Sequence, residues 1–241
     1  MAIYDSFIFF NELELLDIRL HELNDVVHRF VLVEAERTFS GNKKPLYFDQ
    51  NRSLFKPYLD KIIHVVVEDK PEYPQERWAF EHFQRRCLAL GLKDCAQNDV
   101  VIFSDADEIH RASAIAAYKP DEGPKVLHEL FCYYYCNCIT IDPWPGPRIM
   151  SYGYFLRQGA DAQQFRWRKL PPLPDAGWHF SYLGGVEKIK TKLDSFSHQE
   201  LNIPEFNNPE WLKTATSEQK DLFKRPIPWK IVELDHRWPA Y

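Results

Sequence analysis

Short apolar runs alternate with helix-spaced apolar positions along the first 110 residues, and three of the four runs end in acids. Residues 7–10 form the first run and meet Asn11 and Glu12. Leu13, Leu16, Leu20 and Leu23 then recur at three- and four-residue intervals, the spacing of one helix face. Residues 29–35 read as a second strand, ending in Glu34, Glu36 and Arg37. Residues 38–50, with Ser40, Gly41, Asn42 and Pro45, read as a loop. Residues 61–67 are a third strand that runs into Glu68 and Asp69. After Pro71 and Pro74 a helix is expected over 75–90, with Phe80, Phe83, Cys87 and Leu90 on its core face and Gly91 as its C-cap. The fourth strand, from Val100 to Phe103, leads into Ser104, Asp105, Ala106, Asp107 and Glu108. Strands alternating with helices predict parallel βαβ units, hence an α/β fold with a mostly parallel central sheet. In such sheets the ligand crevice lies outside the carboxyl ends of the strands, where these acids fall. The chain has neither a GxGxxG dinucleotide fingerprint nor a GxxxxGK[ST] phosphate loop.

The second half changes character. Residues 126–141, including Tyr133, Tyr134 and Tyr135, read as one long strand. Pro143, Pro145 and Pro147 flank Trp144 in a loop, and residues 152–156 are a further strand candidate. Pro171, Pro172 and Pro174 lead into a stretch from Gly177 to Gly185 that holds His179. A lysine-rich helix follows over 186–196, then His198 and Glu200. The tail from Asn207 holds one short helix. The sequence has no internal repeat and no evident linker, so residues 1–241 are expected to form a single domain of two lobes, 1–110 and 111–241.

Composition narrows the function classes. The net charge is −5 and no basic tract of five or more residues occurs, which argues against a nucleic-acid backbone as partner. Aromatics are 15% of the chain, suited to flat ligands such as sugar rings or bases as well as to a core. The five cysteines, Cys87, Cys95, Cys132, Cys136 and Cys138, are an odd set without zinc-site spacing; buried free thiols in a reducing compartment are expected. With no secretory signal pattern and no run of about 18 apolar residues, the chain reads as cytoplasmic with no membrane span, or else as a catalytic domain separated from an anchor.

Four polar groups carry candidate chemistry. Asp105 and Asp107 are two residues apart and would point the same way in extended chain, where a hard divalent cation shared with a phosphate would balance them; a solvated acidic turn is the plainer reading. Glu34 and Arg37 would contact a ligand in the same crevice, or form a surface ion pair. Arg85 and Arg86 would reach a phosphate, or cover a solvated helix face. The fourth group is His179, His198 and Glu200 with Lys188, Lys190 and Lys192: one of the two histidines would complete a metal shell begun by the aspartates, and the lysines would neutralise a diphosphate; a lone histidine is otherwise a structural residue.

Residues 4–16, the stretch 30–48 with Glu34, Thr38, Gly41 and Pro45, the segment from Ser104 to Ile109, and Gly177 to Ser181 with Ser195 to His198 resemble family-17 glycosyltransferases, in the same order. The resemblance implies a GT-A-like fold, with a Rossmann-like nucleotide-sugar-binding half over 1–110 and an aromatic-rich acceptor half and tail over 111–241. It implies a UDP-sugar donor, UDP-N-acetylglucosamine as the leading case, a glycan hydroxyl as acceptor, and a divalent metal, manganese or magnesium. Within it, metal ligands are expected at Asp105, Asp107, His179 and His198. Donor contacts are expected at Glu34, Arg37, Arg85, Asp105 and Lys190. An inverting transfer needs a general base, for which Glu200, Asp175 and Glu108 are the candidates. Trp144 and Tyr133 to Tyr135 are candidate acceptor platforms. Two other classes compete: a haloacid-dehalogenase-type phosphatase, although its nucleophilic motif sits near the chain start and here position 109 is Ile109, and a non-catalytic carbohydrate-binding module.

Overall fold

The computed structural model describes residues 1–68, 71–72, 74–76 and 78–239. Asp69, one of the expected strand-end acids, lies outside the described residues. The elements in chain order are β1 (Ile3–Phe9), α1 (Leu13–Leu23), β2 (Arg29–Ala35), α2 (Tyr47–Asn51), β3 (Ile62–Val67), α3 (Ala79–Arg86) and β4 (Val100–Asp105). Next come β5 (Glu108–His110), α4 (Ala112–Ala117), β6 (Lys125–Leu127), β7 (Leu130–Tyr133), β8 (Tyr135–Ile139), β9 (Arg148–Ser151), α5 (Tyr152–Arg157) and α6 (Ala162–Phe165). The chain ends with β10 (Pro172–Leu173), β11 (Gly177–Ser181), α7 (Gly185–Ser195), α8 (Pro209–Ser217) and β12 (Lys230–Ile231).

A seven-stranded sheet runs in the order β10-β6-β9-β4-β1-β2-β3. Its four expected strands, β4, β1, β2 and β3, are mutually parallel, with Ser6 opposite Val31 and Phe103. Only β9 runs antiparallel to its neighbours β4 and β6. The sheet is buried on both faces, so its strands are continuous apolar runs whose alternate residues serve two cores. Ile3, Phe7 and Phe9 pack with Leu16, Leu20 and Leu23 of α1, whereas Tyr4 and Ile8 pack with Leu88, Leu92 and Phe155 on the other side. The same alternation sends Ser104 toward α1 and Asp105 toward α3.

A second sheet, β12-β8-β7-β11-β5, starts where the first one ends. Only Ala106 and Asp107 separate β4 from β5, so the acidic turn is the point at which the chain passes from one sheet to the other. β11 then lies antiparallel to β5, with His179 opposite Glu108.

Several local expectations are corrected. The long strand over 126–141 is three strands: β6 and β7 belong to different sheets on either side of His128 and Glu129, and between β7 and β8 Tyr134 takes a left-handed conformation (φ 64°) and the chain reverses. Tyr134 adopts a backbone usually left to Gly or Asn, held by burial and by its hydroxyl donating to the Lys220 carbonyl. Residues 152–156 are helical: the Ser151 hydroxyl accepts from the Tyr154 N–H as an N-cap. The 75–90 helix is shorter, Ala79–Arg86, and tightens into a 3-10 segment, Cys87–Leu92. The changed pitch leaves Leu90 half exposed and buries Leu88 and Leu92 instead. Gly91 is not a cap. It faces β2 so closely that a Cβ would lie 2.2 Å from Val31 Cγ1. The 38–50 loop contains the start of α2. None of the five cysteines is in a disulfide among the described residues, and no helix among the described residues is long and apolar enough to cross a membrane.

Gly177 (φ 150°) sets the approach of β11 to β5, since an added Cβ would meet the Ile109 carbonyl oxygen at 2.2 Å and His110 Cα at 2.7 Å. Gly177→Ala is therefore expected to part these strands and to cost about 1–3 kcal/mol by overpacking, measurable as a lower urea midpoint.

Candidate active site

The acidic turn is built from charges that neutralise one another. Asp105 points to the α3 side, where Oδ1 accepts from Arg85 Nη1 at 2.7 Å and Oδ2 from Arg166 Nη2 at 2.8 Å. Arg85 is held in turn by Glu81 at 2.9 Å, and Glu81 accepts from the Ser197 hydroxyl at 2.6 Å. Glu108 is fully buried. It accepts from Arg166 Nη1 (2.9 Å) and Nη2 (2.7 Å), from the Trp144 indole (2.5 Å), and from the backbone N–H of Asp105 (2.7 Å). Glu108 thus closes the turn, and its proton-accepting capacity is already taken.

Asp107 faces the other way. Its Oδ2 accepts from Lys192 Nζ at 2.7 Å and lies 3.5 Å from His179 Nε2. His179 is stacked on Phe131 (centroids 4.9 Å, 9° between planes) and against Trp144 (4.4 Å), and its Nδ1 has no hydrogen-bond partner among the described residues. Burial pushes the Asp107 carboxyl up, but Lys192 and His179 outweigh it and hold the group well below the usual carboxylate range. For Asp105, too, burial raises and the Arg166 and Arg85 guanidiniums prevail, so it is lowered. Burial would lower Lys192, and Asp107 more than reverses that, so the ammonium persists. Glu12 is raised, first by burial and then by the Asp107 charge.

Asp107 and Lys192 open onto a cavity of about 300 Å³, lined also by Phe10, Asn11, Glu12, Ile18 and Tyr182. A smaller cavity of about 70 Å³ adjoins it between the ends of β1 and β2, lined by Arg37, Thr38, Phe39, Gln84 and Phe196; Phe10, Glu12 and Lys192 line both. The crevice thus lies where strand-end logic expects it.

The fold brings together Asp105, Asp107, Glu108, His179 and Arg85, with Arg37 in the adjoining cavity. The remaining expected residues fall elsewhere. Glu34 lies on the α1 side of β2 and is turned inward. It accepts from the Phe48 N–H at 2.9 Å at the start of α2 and from His64 at 3.0 Å. Lys190 pairs with Asp194 on the exposed face of α7. His198 and Glu200 pair with each other at 2.9 Å, half exposed, with His198 against Trp78. Asp175 is exposed and pairs with Arg111, two residues before β11 begins. The four-ligand metal set does not converge: among the described residues no three His, Cys, Asp or Glu side chains could hold one ion. Of the three tyrosines, Tyr133 and Tyr134 are core, packed with Tyr182, and only Tyr135 is exposed.

Sequence reasoning missed Arg166, which has no strand or helix signal of its own, and did not choose Lys192 among its neighbours. Lys190 and Lys192 flank the inward face of α7, set by Ile189 and Leu193, on opposite sides, and only the Lys192 flank meets the turn. It also missed Arg19, although 16, 19, 20 and 23 form one helical stripe, and an arginine inside an apolar stripe signals a buried charge.

An α/β protein with a charged crevice at its strand ends, walled by an ionised aspartate and lysine among aromatic rings, is defined on these grounds. The chain belongs to glycosyltransferase family 17, whose sequence model matches residues 1–230. It is 29% identical over 219 residues to the β-1,4-mannosyl-glycoprotein 4-β-N-acetylglucosaminyltransferase of Rattus norvegicus, and 28% identical to that of Homo sapiens. Each match covers 77% of this chain and 41% of the relative, so the chain spans less than half the length of these curated relatives. Among solved structures, the 2-C-methyl-D-erythritol 4-phosphate cytidylyltransferase of Francisella tularensis aligns with TM-score 0.38 and 10% identity, over 72% of this chain and 90% of its own.

Arg166→Ala would leave Glu108 buried without its cation. Removing one partner of a buried pair costs about 3–5 kcal/mol, so a loss of that order is expected in denaturant unfolding. The Asp107 pair gives a pH signature. Its folded pKa lies below the unfolded value, so the pair stabilises above about pH 4 and loses this contribution as pH falls further. The stability difference between wild type and Asp107→Asn should stay constant from pH 8 to about 5 and shrink below about 4, as read from urea midpoints.

Proposed function

We propose that this chain transfers N-acetylglucosamine from a UDP-sugar to a glycan hydroxyl, with inversion and with a divalent metal, on a GT-A-type fold formed by residues 1–241 as one domain. The family match, at 1–230, carries the reading; the cavity wall formed by Asp107 and Lys192 supports it. Five cysteines without a disulfide among the described residues agree with a reducing, cytoplasmic setting.

The donor set fits a metal of restricted kind. Both oxygens of Asp105 are occupied by guanidiniums, whereas Asp107 Oδ1 makes no hydrogen bond among the described residues. One carboxylate facing a cavity matches magnesium-like binding, in which waters and substrate phosphates supply most ligands. The lining charges agree: Glu12, Glu14 and Asp107 oppose Lys188 and Lys192, so a diphosphate entering alone would meet a surplus of negative charge. Asp107 would hold the ion, with His179 beside it, and the ion would supply Lewis-acid stabilisation of the diphosphate.

The chain's own residues do the rest. The nucleoside lies across the mouth of the small cavity and extends into the larger one, where Phe10, Phe39 and Phe196 offer ring faces and Arg37, Thr38 and Gln84 polar atoms. Lys192 lies at the junction of both cavities and neutralises the charge that grows on the leaving diphosphate. The acceptor proton goes to Glu12. Its Oε2 accepts from the N–H groups of Phe10 and Asn11, and its Oε1 is free of hydrogen bonds among the described residues. Glu108 is saturated, and Asp175 and Glu200 do not line the cavity. Trp144, against His179, and Trp167, exposed over Arg166, form the acceptor side. The phosphatase reading needs Asp105 as a nucleophile, which its two guanidinium partners oppose.

The test is release of UDP from UDP-N-acetylglucosamine with and without a mannose-containing acceptor. Turnover is expected to vanish with EDTA and return with manganese. Asp107→Ala should abolish it. Lys192→Ala should lower kcat about 100- to 1,000-fold, and Glu12→Gln should lower kcat with UDP affinity kept. Full turnover by Asp107→Ala would overturn the assignment.

A further inference from the structure

Beside the acidic turn, on the same helix α1 whose Glu14, Leu15 and Ile18 line the cavity, sits a fully buried arginine whose five N–H groups are all used. Arg19 projects from the middle of α1 with no solvent exposure. Its Nε donates to Asp5 Oδ2 at 2.7 Å, and Nη2 donates to Asp5 Oδ1 and to the Ser104 hydroxyl, each at 2.6 Å. Its Nη1 donates to two backbone carbonyls, Asp105 at 3.0 Å and Glu108 at 2.7 Å. The guanidinium lies over the Phe7 ring at 4.2 Å. His110 continues the cluster, 3.1 Å from Nη2 and 2.8 Å from Glu129.

Stability alone does not account for this arrangement. A buried ion pair of this kind is often no more stable than apolar side chains of similar volume, because desolvation offsets the attraction. What apolar residues cannot do is bind two carbonyls three residues apart. A lysine would keep the charge but not the planar fork that reaches Asp5 on one edge and both carbonyls on another. The two carbonyls bracket Ala106 and Asp107, so the fork fixes the backbone on each side of the cavity-facing carboxylate.

We infer that Arg19 is a positioning residue: anchored on Asp5, it sets the conformation of the Asp105–Glu108 turn and through it the place at which Asp107 meets the donor. The inference deepens the donor reading proposed above and rests on it for its catalytic consequence. The turn geometry itself does not depend on that reading. A displacement of a reacting group by about 1 Å can cost 100-fold in rate, which sets the size of the expected effect.

Two variants separate positioning from folding. Arg19→Lys keeps the charge opposite Asp5. The double variant Asp5→Leu with Arg19→Met removes the ion pair altogether; because it strands the Ser104 hydroxyl, His110 and the two carbonyls, it is expected to remain folded in the absence of denaturant with a lowered midpoint. Three measurements are made on each: manganese-dependent UDP affinity by calorimetry, kcat and KM for UDP-N-acetylglucosamine, and amide hydrogen exchange over residues 104–110. For both variants, under conditions where each is fully folded, the expectation is exchange that is faster at the turn than in the rest of the chain, UDP affinity weakened at least tenfold, and kcat lowered about 10- to 100-fold. Wild-type exchange at the turn in the folded variants overturns the inference, as does wild-type UDP affinity. If the wild-type protein itself binds no UDP, the donor reading falls. The exchange data then decide the positioning role alone: faster exchange supports it and unchanged exchange rejects it.

Discussion

Three carboxylates within four residues of the chain must be neutralised where two sheets meet, and the architecture around them follows from that requirement. An uncompensated buried carboxylate costs several kcal/mol, so each acid needs a cation delivered to its own side. Asp105 takes Arg85 from α3, Glu108 takes Arg166 from the segment after α6, and Asp107 takes Lys192 from α7. Arg19 holds the turn's backbone from α1. Four segments that are far apart in sequence are thus pinned to one turn, and the crevice beside it inherits fixed walls. Arg166 does more than balance charge, because its fork bridges Asp105 and Glu108 and stops the turn from opening.

The first half of this fold was legible because its signals are local. Strands buried on both faces are apolar runs, and α1 shows its 3.6-residue period in four leucines. The second half obeys no such rule. Tyr134 reverses the chain in a conformation that no residue-type preference predicts, and aromatic side chains fill the strand, the tip and the helix that follows alike. The hydroxyl of Ser151 was a readable cap, but the apolar residues after it suit strand and helix equally. Short apolar segments without flanking Gly or Pro leave that choice to tertiary contacts.

The site was legible mainly along the strands. A strand end says where a carboxylate lies, so Asp105 and Asp107 emerged from the pattern, whereas His179 was marked by its glycine-bearing stretch and Arg85 by the helix before β4. Which cation meets it depends on helix phase and on loops that pack late. Lys190 and Lys192 differ by two residues, about 200° around the helix, and only one of them reaches the turn. Glu34 shows the same limit in a strand. Its alternation was readable, but the burial of α2 over that face was not, and the side chain serves as a cap rather than a ligand.

The two aspartates of the motif also divide the work in a way their spacing conceals. Residues two apart share a face only in extended chain, and β4 ends at Asp105. The turn therefore sends Asp105 to the helical layer, where two guanidiniums occupy both of its oxygens, and Asp107 to the cavity, where one oxygen is left over. Asp105 is more buried in interactions although its side chain is more exposed, 27% against 9%. Exposure is thus a poor guide to which acid keeps bonding capacity; the free lone pairs are the better one. On that criterion Asp105 builds the wall and Asp107, oriented by the backbone that Arg19 grips, presents the charge.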